Sequence, residues 1–186
     1  MKSVSQEKGL SAECDKTLPE RTETTFGKLI IDEVRFEPNY KDKAIASASN
    51  CKGLDRRRPD LLWVVGGKVD VVVEIDEHSH SGYEPSCEVR KMSEQNLAIQ
   101  QTEGCENIPV FTVRVNPYTY AVKRVQKRTR AKMVADKVKE LLNGEYESNG
   151  YAKLYFCCYH TSSNHLIEEQ RKHWDCETLE FMEFLT

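Results

Sequence analysis

Residues 59–80, PDLLWVVGGKVDVVVEIDEHSH, decide how the rest of the chain is read. Residues 60–65 and 68–76 flank Gly66-Gly67, the pattern of a β-hairpin closed by a glycine turn. The second run, VDVVVEID, is β-branched and almost continuously apolar. It predicts a strand covered on both faces and central in its sheet. Yet Asp60 begins the first strand, and Glu74, Asp76 and Glu77 end the second, with His78 and His80 just beyond. Alternation points Glu74 and Asp76 to one face, and the turn folds Asp60 back opposite residues 73–76. Three carboxylates are expected to converge at one end of the hairpin.

Like charges a few ångströms apart repel and raise each other's pKa. A divalent cation removes that penalty, and an all-oxygen set suits Mg²⁺ or Mn²⁺. Asp60, Glu74 and Asp76 are therefore the expected metal ligands and catalytic acids. Such a centre lowers the pKa of a bound water and neutralises charge on a phosphodiester. His80, four residues past Asp76, is the expected general acid or base near neutral pH. The competing account is plain: acids at a strand end face solvent or pair with arginines.

Outward from the hairpin, residues 20–37 carry Phe26, Leu29, Ile30, Val34 and Phe36 at helical spacing, with Thr22 or Thr24 as cap. Residues 43–48 read as a short strand, 86–101 as a helix capped by Ser86, and 108–115 as another strand. Residues 121–144 read as a helix stopped by Gly144. Residues 151–160 read as a strand, and the tail as helical in two pieces. The expected fold class is α/β: a central mixed β-sheet with a β-hairpin, flanked by helices. Residues 1–19 are expected to be a flexible leader, and 20–186 a single domain.

The 186 residues are 31% charged and 39% hydrophobic, with a net charge of −3, as suits a soluble globular chain. No apolar run approaches the roughly 20 residues of a membrane span, so no membrane partner is expected. Residues 123–139 hold eight basic side chains against one acid, and Arg56-Arg57-Arg58 precedes Asp60. A basic interior stripe in an acidic chain permits a nucleic-acid partner. Arg56, Arg57, Arg58, Arg90, Arg114, Lys123, Arg124, Lys127 and Arg128 are the candidate phosphate contacts, each weighed against a solvated or ion-paired surface role. Tyr83, Tyr118 and Tyr120 are candidates for stacking on bases, though turn or core packing explains them as well. Glu23 is a candidate fourth acid on the first helix, with Glu20 and Glu33 as rivals. Seven cysteines without a CxxC pair read as free thiols. A structural Zn²⁺ on Cys51, Cys87, Cys105 and His78 is the alternative.

The run RRRPDLLW…VVVEIDEHSH…CEVRKM…IPVFTVRVNPYTY resembles the PD-(D/E)xK nuclease superfamily, closest to the branch around the very short patch repair endonucleases. The matching residues are Arg58-Pro59-Asp60, Glu74-Ile75-Asp76, His80, Arg90, and Arg114 through Asn116-Pro117, within residues 44–120. The resemblance implies a restriction-endonuclease-like core, a catalytic histidine at His80 or His78, and a glutamate from the first helix. It also implies a zinc site of cysteines and a histidine, for which Cys51 and Cys87 are the matching residues. One departure stands out: the superfamily's lysine, two residues after the second acid, is Asp76 here. The expected function is a Mg²⁺-dependent DNA endonuclease that nicks or cuts both strands, in repair, defence or element mobility. It would act as a monomer or homodimer in the nucleus or cytoplasm, with a virus or mobile element as one source, and the choice of DNA over RNA stays open. The alternative is a catalytically inactive nucleic-acid-binding module of the same fold.

Overall fold

The computed structural model describes residues 21–43, 45, 58–77, 84–102, 104–118, 125–146, 152–159 and 165–179. The expected leader, and four of the six residues of the strand expected at 43–48, lie outside them.

Helix α1 (Thr22–Val34) buries Phe26, Ile30 and Val34, one residue per turn on one face. It ends where Arg35 takes φ 62° and returns its N–H to the Ile31 carbonyl at 2.9 Å. A two-residue strand, β1 (Tyr40–Lys41), then pairs antiparallel with β2 (Leu61–Val65). The Asn39 Oδ1 accepts the Val64 N–H at 2.7 Å, and Trp63 donates its indole N–H to the Phe36 carbonyl at 2.9 Å. Trp63 is therefore a core residue whose polar edge is satisfied.

The hairpin forms as expected, joining β2 to β3 (Val69–Ile75) in the register Leu61↔Val73 through Val65↔Val69. Gly67 takes φ 74° in the turn, which a side chain would strain. All seven β3 residues are buried, because helices cover both faces. Val71, Val73 and Ile75 pack with α1 and with α3 (Lys127–Leu142), whereas Val72 packs toward α2 (Pro85–Gln100). Strands β4 (Val110–Val115) and β5 (Ala152–Cys157) continue the sheet in parallel. Helix α4 (His165–Arg171) packs beside α2 over Leu154 and Phe156. The result is an α/β sandwich with a six-stranded mixed sheet in the order β1 to β6. No helix among the described residues is long and apolar enough to cross a membrane.

Two expectations are corrected. The second piece of the helical tail is a strand, β6 (Asp175–Leu179), parallel to β5. Period-two spacing puts Asp175 and Glu177 over Lys153, whose Nζ lies 2.8 Å from Glu177 and 3.9 Å from Asp175. Pairing with β5 satisfies the backbone that helix propensity alone would have coiled. The caps also differ. Arg21 and Glu84 occupy the N-cap positions without side-chain caps, and Ser86 bonds Glu84 instead. Gly144, at φ 79°, does follow the end of α3 and donates to the Leu141 carbonyl.

One core residue is anomalous. Asp70 on β3 is fully buried, and the hydrogen-bonding group that faces it among the described residues is the Cys105 thiol, a weak donor. Burial pushes its pKa up from 3.8 to about 6, with the Cys105 thiol pulling weakly the other way. A raised folded pKa means that the unfolded chain loses this proton first. Stability attributable to the protonated form is full below pH 3.8 and falls as pH rises through about 6. Asp70→Asn is therefore expected to stabilise the protein by about 1–3 kcal/mol above pH 7 and by little below pH 4. Urea melts of both proteins across that range measure it, and a difference independent of pH would refute it.

Candidate active site

The acidic end of the hairpin sits where β3 leaves the sheet. Asp60, at the bend before β2, accepts the Ile75 N–H on Oδ2 at 2.5 Å. That bond ties the two strands together where the ladder ends, and it holds Asp60 beside Glu74. Burial pushes the Asp60 carboxyl well above the usual carboxylate range. The Glu74 charge adds to this, the Ile75 N–H opposes it, and Glu23 on α1 raises it further. Glu23 thus stands within electrostatic reach from the first helix. Its own backbone N–H donates to Glu77 Oε1 at 3.2 Å, so Glu77 satisfies an open donor at the start of α1.

Glu74 faces α2 and is almost completely buried. Lys91 donates its Nζ to Oε2 at 2.6 Å, and Gln95 donates to Oε1 at 2.7 Å. These donors come from the same face of α2, four residues apart. Burial alone would depress the lysine's pKa, but the Glu74 charge and hydrogen bond outweigh it and hold Lys91 above its usual range. Lys91 thus places a cation against Glu74 at the candidate site. Sequence reading missed it, because the expected lysine position is occupied by Asp76. The available signal was Lys91 inside CEVRKM, one turn before a buried Gln95 on a helix that must cross the strand end.

Asp76 does not join the other two acids. Arg114 binds it bidentately, Nε to Oδ2 at 2.6 Å and Nη2 to Oδ1 at 2.8 Å, and the Tyr159 hydroxyl donates to Oδ2. Arg114 also binds Glu88 Oε2 at 2.7 Å. The expected convergence of three carboxylates is corrected to a pair, Asp60 and Glu74, because a buried guanidinium claims Asp76. Among the described residues, no three His, Cys, Asp or Glu side chains gather to hold a metal ion. The expected phosphate contact at Arg114 is corrected as well. Its side chain is 0% exposed and its charge is spent on carboxylates.

The other candidates divide. Arg58 is exposed just before the site. Arg90 is exposed and binds Glu94 one turn on, at 2.7 Å. Lys127 donates to Thr25 Oγ1 at 2.6 Å, fastening α3 to α1, and Arg128 reaches Glu33 at 3.3 Å. Further along α3, Lys132, Lys137 and Lys139 pair with Asp136 or Glu140. Arg130 is buried and donates to the Val125 and Pro117 carbonyls. The basic stripe therefore contributes largely to packing and local pairing. The Tyr118 hydroxyl donates to Thr22 Oγ1 at 3.2 Å, a packing role. Cys87, Cys105, Cys157, Cys158 and Cys176 are free thiols. Arg56, Arg57, Lys123, Arg124, His78, His80, Tyr83, Tyr120, Glu20 and Cys51 lie outside the described residues.

Asp60 and Glu74 supply carboxylate oxygens, the donor type that a hard divalent ion takes. Mg²⁺ typically takes one or two carboxylates and keeps waters and substrate phosphate oxygens in its other positions. Each Glu74 oxygen accepts one hydrogen bond and retains a lone pair. Asp60 carries an unfavourable like-charge interaction that a cation would relieve. Compared with protein-family models, curated proteins and solved structures, the chain matches none.

Proposed function

We propose that the chain is a metal-dependent DNA endonuclease of the PD-(D/E)xK type, hydrolysing phosphodiester bonds with Asp60, Glu74 and Lys91. The observation that carries this reading is a single linkage. Asp60 is fixed to the Ile75 N–H beside Glu74, and Glu74 in turn holds Lys91. Two carboxylates and a lysine are the set that the PD-(D/E)xK motif asks for, and here the lysine would come from α2 rather than from β3.

Asp60 and Glu74 would hold Mg²⁺ or Mn²⁺, which supplies Lewis-acid polarisation of the phosphate and acidifies a bound water. Lys91, whose pKa the Glu74 charge and hydrogen bond raise, is the proposed cation of the site. It stabilises negative charge on the attacked phosphate or on the nucleophile beside it. Gln95 and the Ile75 N–H keep the two carboxylates in place. His80 is the proposed proton carrier, and Arg58, two residues before Asp60, a proposed phosphate contact.

A second reading has its own support. Asp76 is consumed by Arg114 and Tyr159, so the chain holds one acid fewer at this site than its sequence offers. An inactive DNA-binding module of the same fold accounts for that loss. Supercoiled plasmid incubated with Mg²⁺ or Mn²⁺, with and without chelator, separates the two. The endonuclease converts plasmid to nicked or linear product only with free metal. Lys91→Met is expected to slow this by about 10²-fold, the cost of removing one charge-stabilising donor. Retarded plasmid mobility without any cutting would select the binding module.

A further inference from the structure

Beside Asp60 a cleft of about 200 Å³ opens between α1 and the start of the hairpin. Gly27, Leu61 and Ile75 are buried and form its floor, with Ile31 partly exposed above them. Arg21, Lys28 and Lys41 are exposed and form its rim, beside Asp42. Asp60 and Glu23 line the same space. The cleft thus combines an apolar floor, a cationic edge and a carboxylate end.

Gly27 gives this shape its meaning. A glycine inside a helix costs roughly 1 kcal/mol relative to alanine. A Cβ there would meet only Ile75 Cδ1 at 3.6 Å and Leu61 Cδ2 at 3.9 Å, ordinary contacts. The packing of α1 on the sheet does not require glycine. What a side chain at this position would occupy is the cleft. The volume lies below the roughly 300–1,000 Å³ of sites for drug-sized ligands, so it suits one repeating unit of a polymer better than a whole cofactor.

We propose that this cleft seats one nucleotide of the DNA strand, next to the phosphodiester presented to Asp60. Its sugar and base rest on the floor at Gly27, Ile31 and Leu61, and its phosphate lies on Lys28 and Lys41. The assignment rests on the reading of Asp60 and Glu74 as the cutting centre. It adds a binding subsite separate from the groups that perform the chemistry. Lys41 also forms an exposed ion pair with Glu37.

Anisotropy of a fluorescein-labelled single-stranded DNA oligonucleotide, with Ca²⁺ replacing Mg²⁺ to hold off cleavage, tests it. The Lys28→Ala/Lys41→Ala variant is expected to bind about tenfold more weakly. Its salt slope falls by about 0.7–1.4, the range for one to two lost single-strand phosphate contacts. In Mg²⁺ it raises KM about tenfold and leaves kcat within about twofold. Gly27→Leu, its fold checked by thermal melting, weakens binding through the floor alone. Affinity and salt slope unchanged in the lysine variant overturn the subsite, whatever Gly27→Leu does. If the wild type binds through the cleft yet never cuts, the subsite stands and the nuclease reading fails. If it cuts and the lysine variant matches it throughout, the nuclease reading stands and the subsite fails.

Discussion

Asp60→Asn is expected to lower metal-supported DNA cleavage by about 10³-fold or more while leaving the hairpin closed. Asparagine keeps an oxygen that can accept the Ile75 N–H, the bond Asp60 makes at 2.5 Å. It removes the charge and replaces the second oxygen with an amide NH2. Loss of one of two anionic ligands weakens metal binding and its share of transition-state stabilisation; a 10³-fold loss corresponds to about 4 kcal/mol. The metal-free protein should respond in the opposite sense. Burial and the neighbouring Glu74 raise the Asp60 pKa in the fold. The fold therefore favours the protonated form, and that contribution is lost as pH rises through the folded pKa. At neutral pH the asparagine variant removes the disfavoured charge, so its metal-free melting temperature matches or exceeds the wild type's. Millimolar Mg²⁺ then raises the melting temperature of the wild type and not of the variant. Full cleavage by Asp60→Asn, or equal Mg²⁺ stabilisation of both proteins, would remove Asp60 from the site.

The sequence made the sheet's centre legible and its margins illegible, for physical reasons. VDVVVEI has no polar face to put toward water, so a doubly covered central strand was its best solution, and β3 is buried along its whole length. Asp60 and Glu74 were legible for the same reason: the glycine turn fixes which residues lie opposite each other. Residues 175–179 were not legible, because DCETLEF has no strong periodicity and β5 alone decides its state. The fate of Asp76 was hidden for another reason. Period-two alternation places Asp76 and Glu74 on one face, but it does not say which neighbour each meets. Arg114 is one strand away with a side chain long enough to reach back, and Glu88 and Tyr159 arrive from elements far along the chain. Lys91 was hidden by distance: 17 residues separate it from Glu74, and only the crossing of α2 over the strand end brings them to 2.6 Å.

Arg114→Met is expected to be the most destabilising single change at this end of the sheet, costing about 3–5 kcal/mol at neutral pH. The guanidinium is fully buried between two buried carboxylates, Asp76 and Glu88. Burial alone would lower its pKa, but the Asp76 charge and hydrogen bonds, with Tyr159 and Glu88, outweigh that and keep it charged. Methionine fills much of the space and leaves both acids without their cation, which is why the loss exceeds that of an exposed pair. Two controls identify the mechanism. Adding Asp76→Asn and Glu88→Gln to Arg114→Met removes the stranded charges and should recover a large part of the loss. Acidic pH should also narrow the gap between the single variant and the wild type, since protonation neutralises the same groups. Urea denaturation measures all three proteins. A loss below about 1 kcal/mol, accompanied by a selective fall in DNA affinity, would return Arg114 to the role of phosphate contact. The expected result assigns it instead to holding Asp76 away from Asp60 and Glu74, which leaves the site with two carboxylates and the lysine from α2.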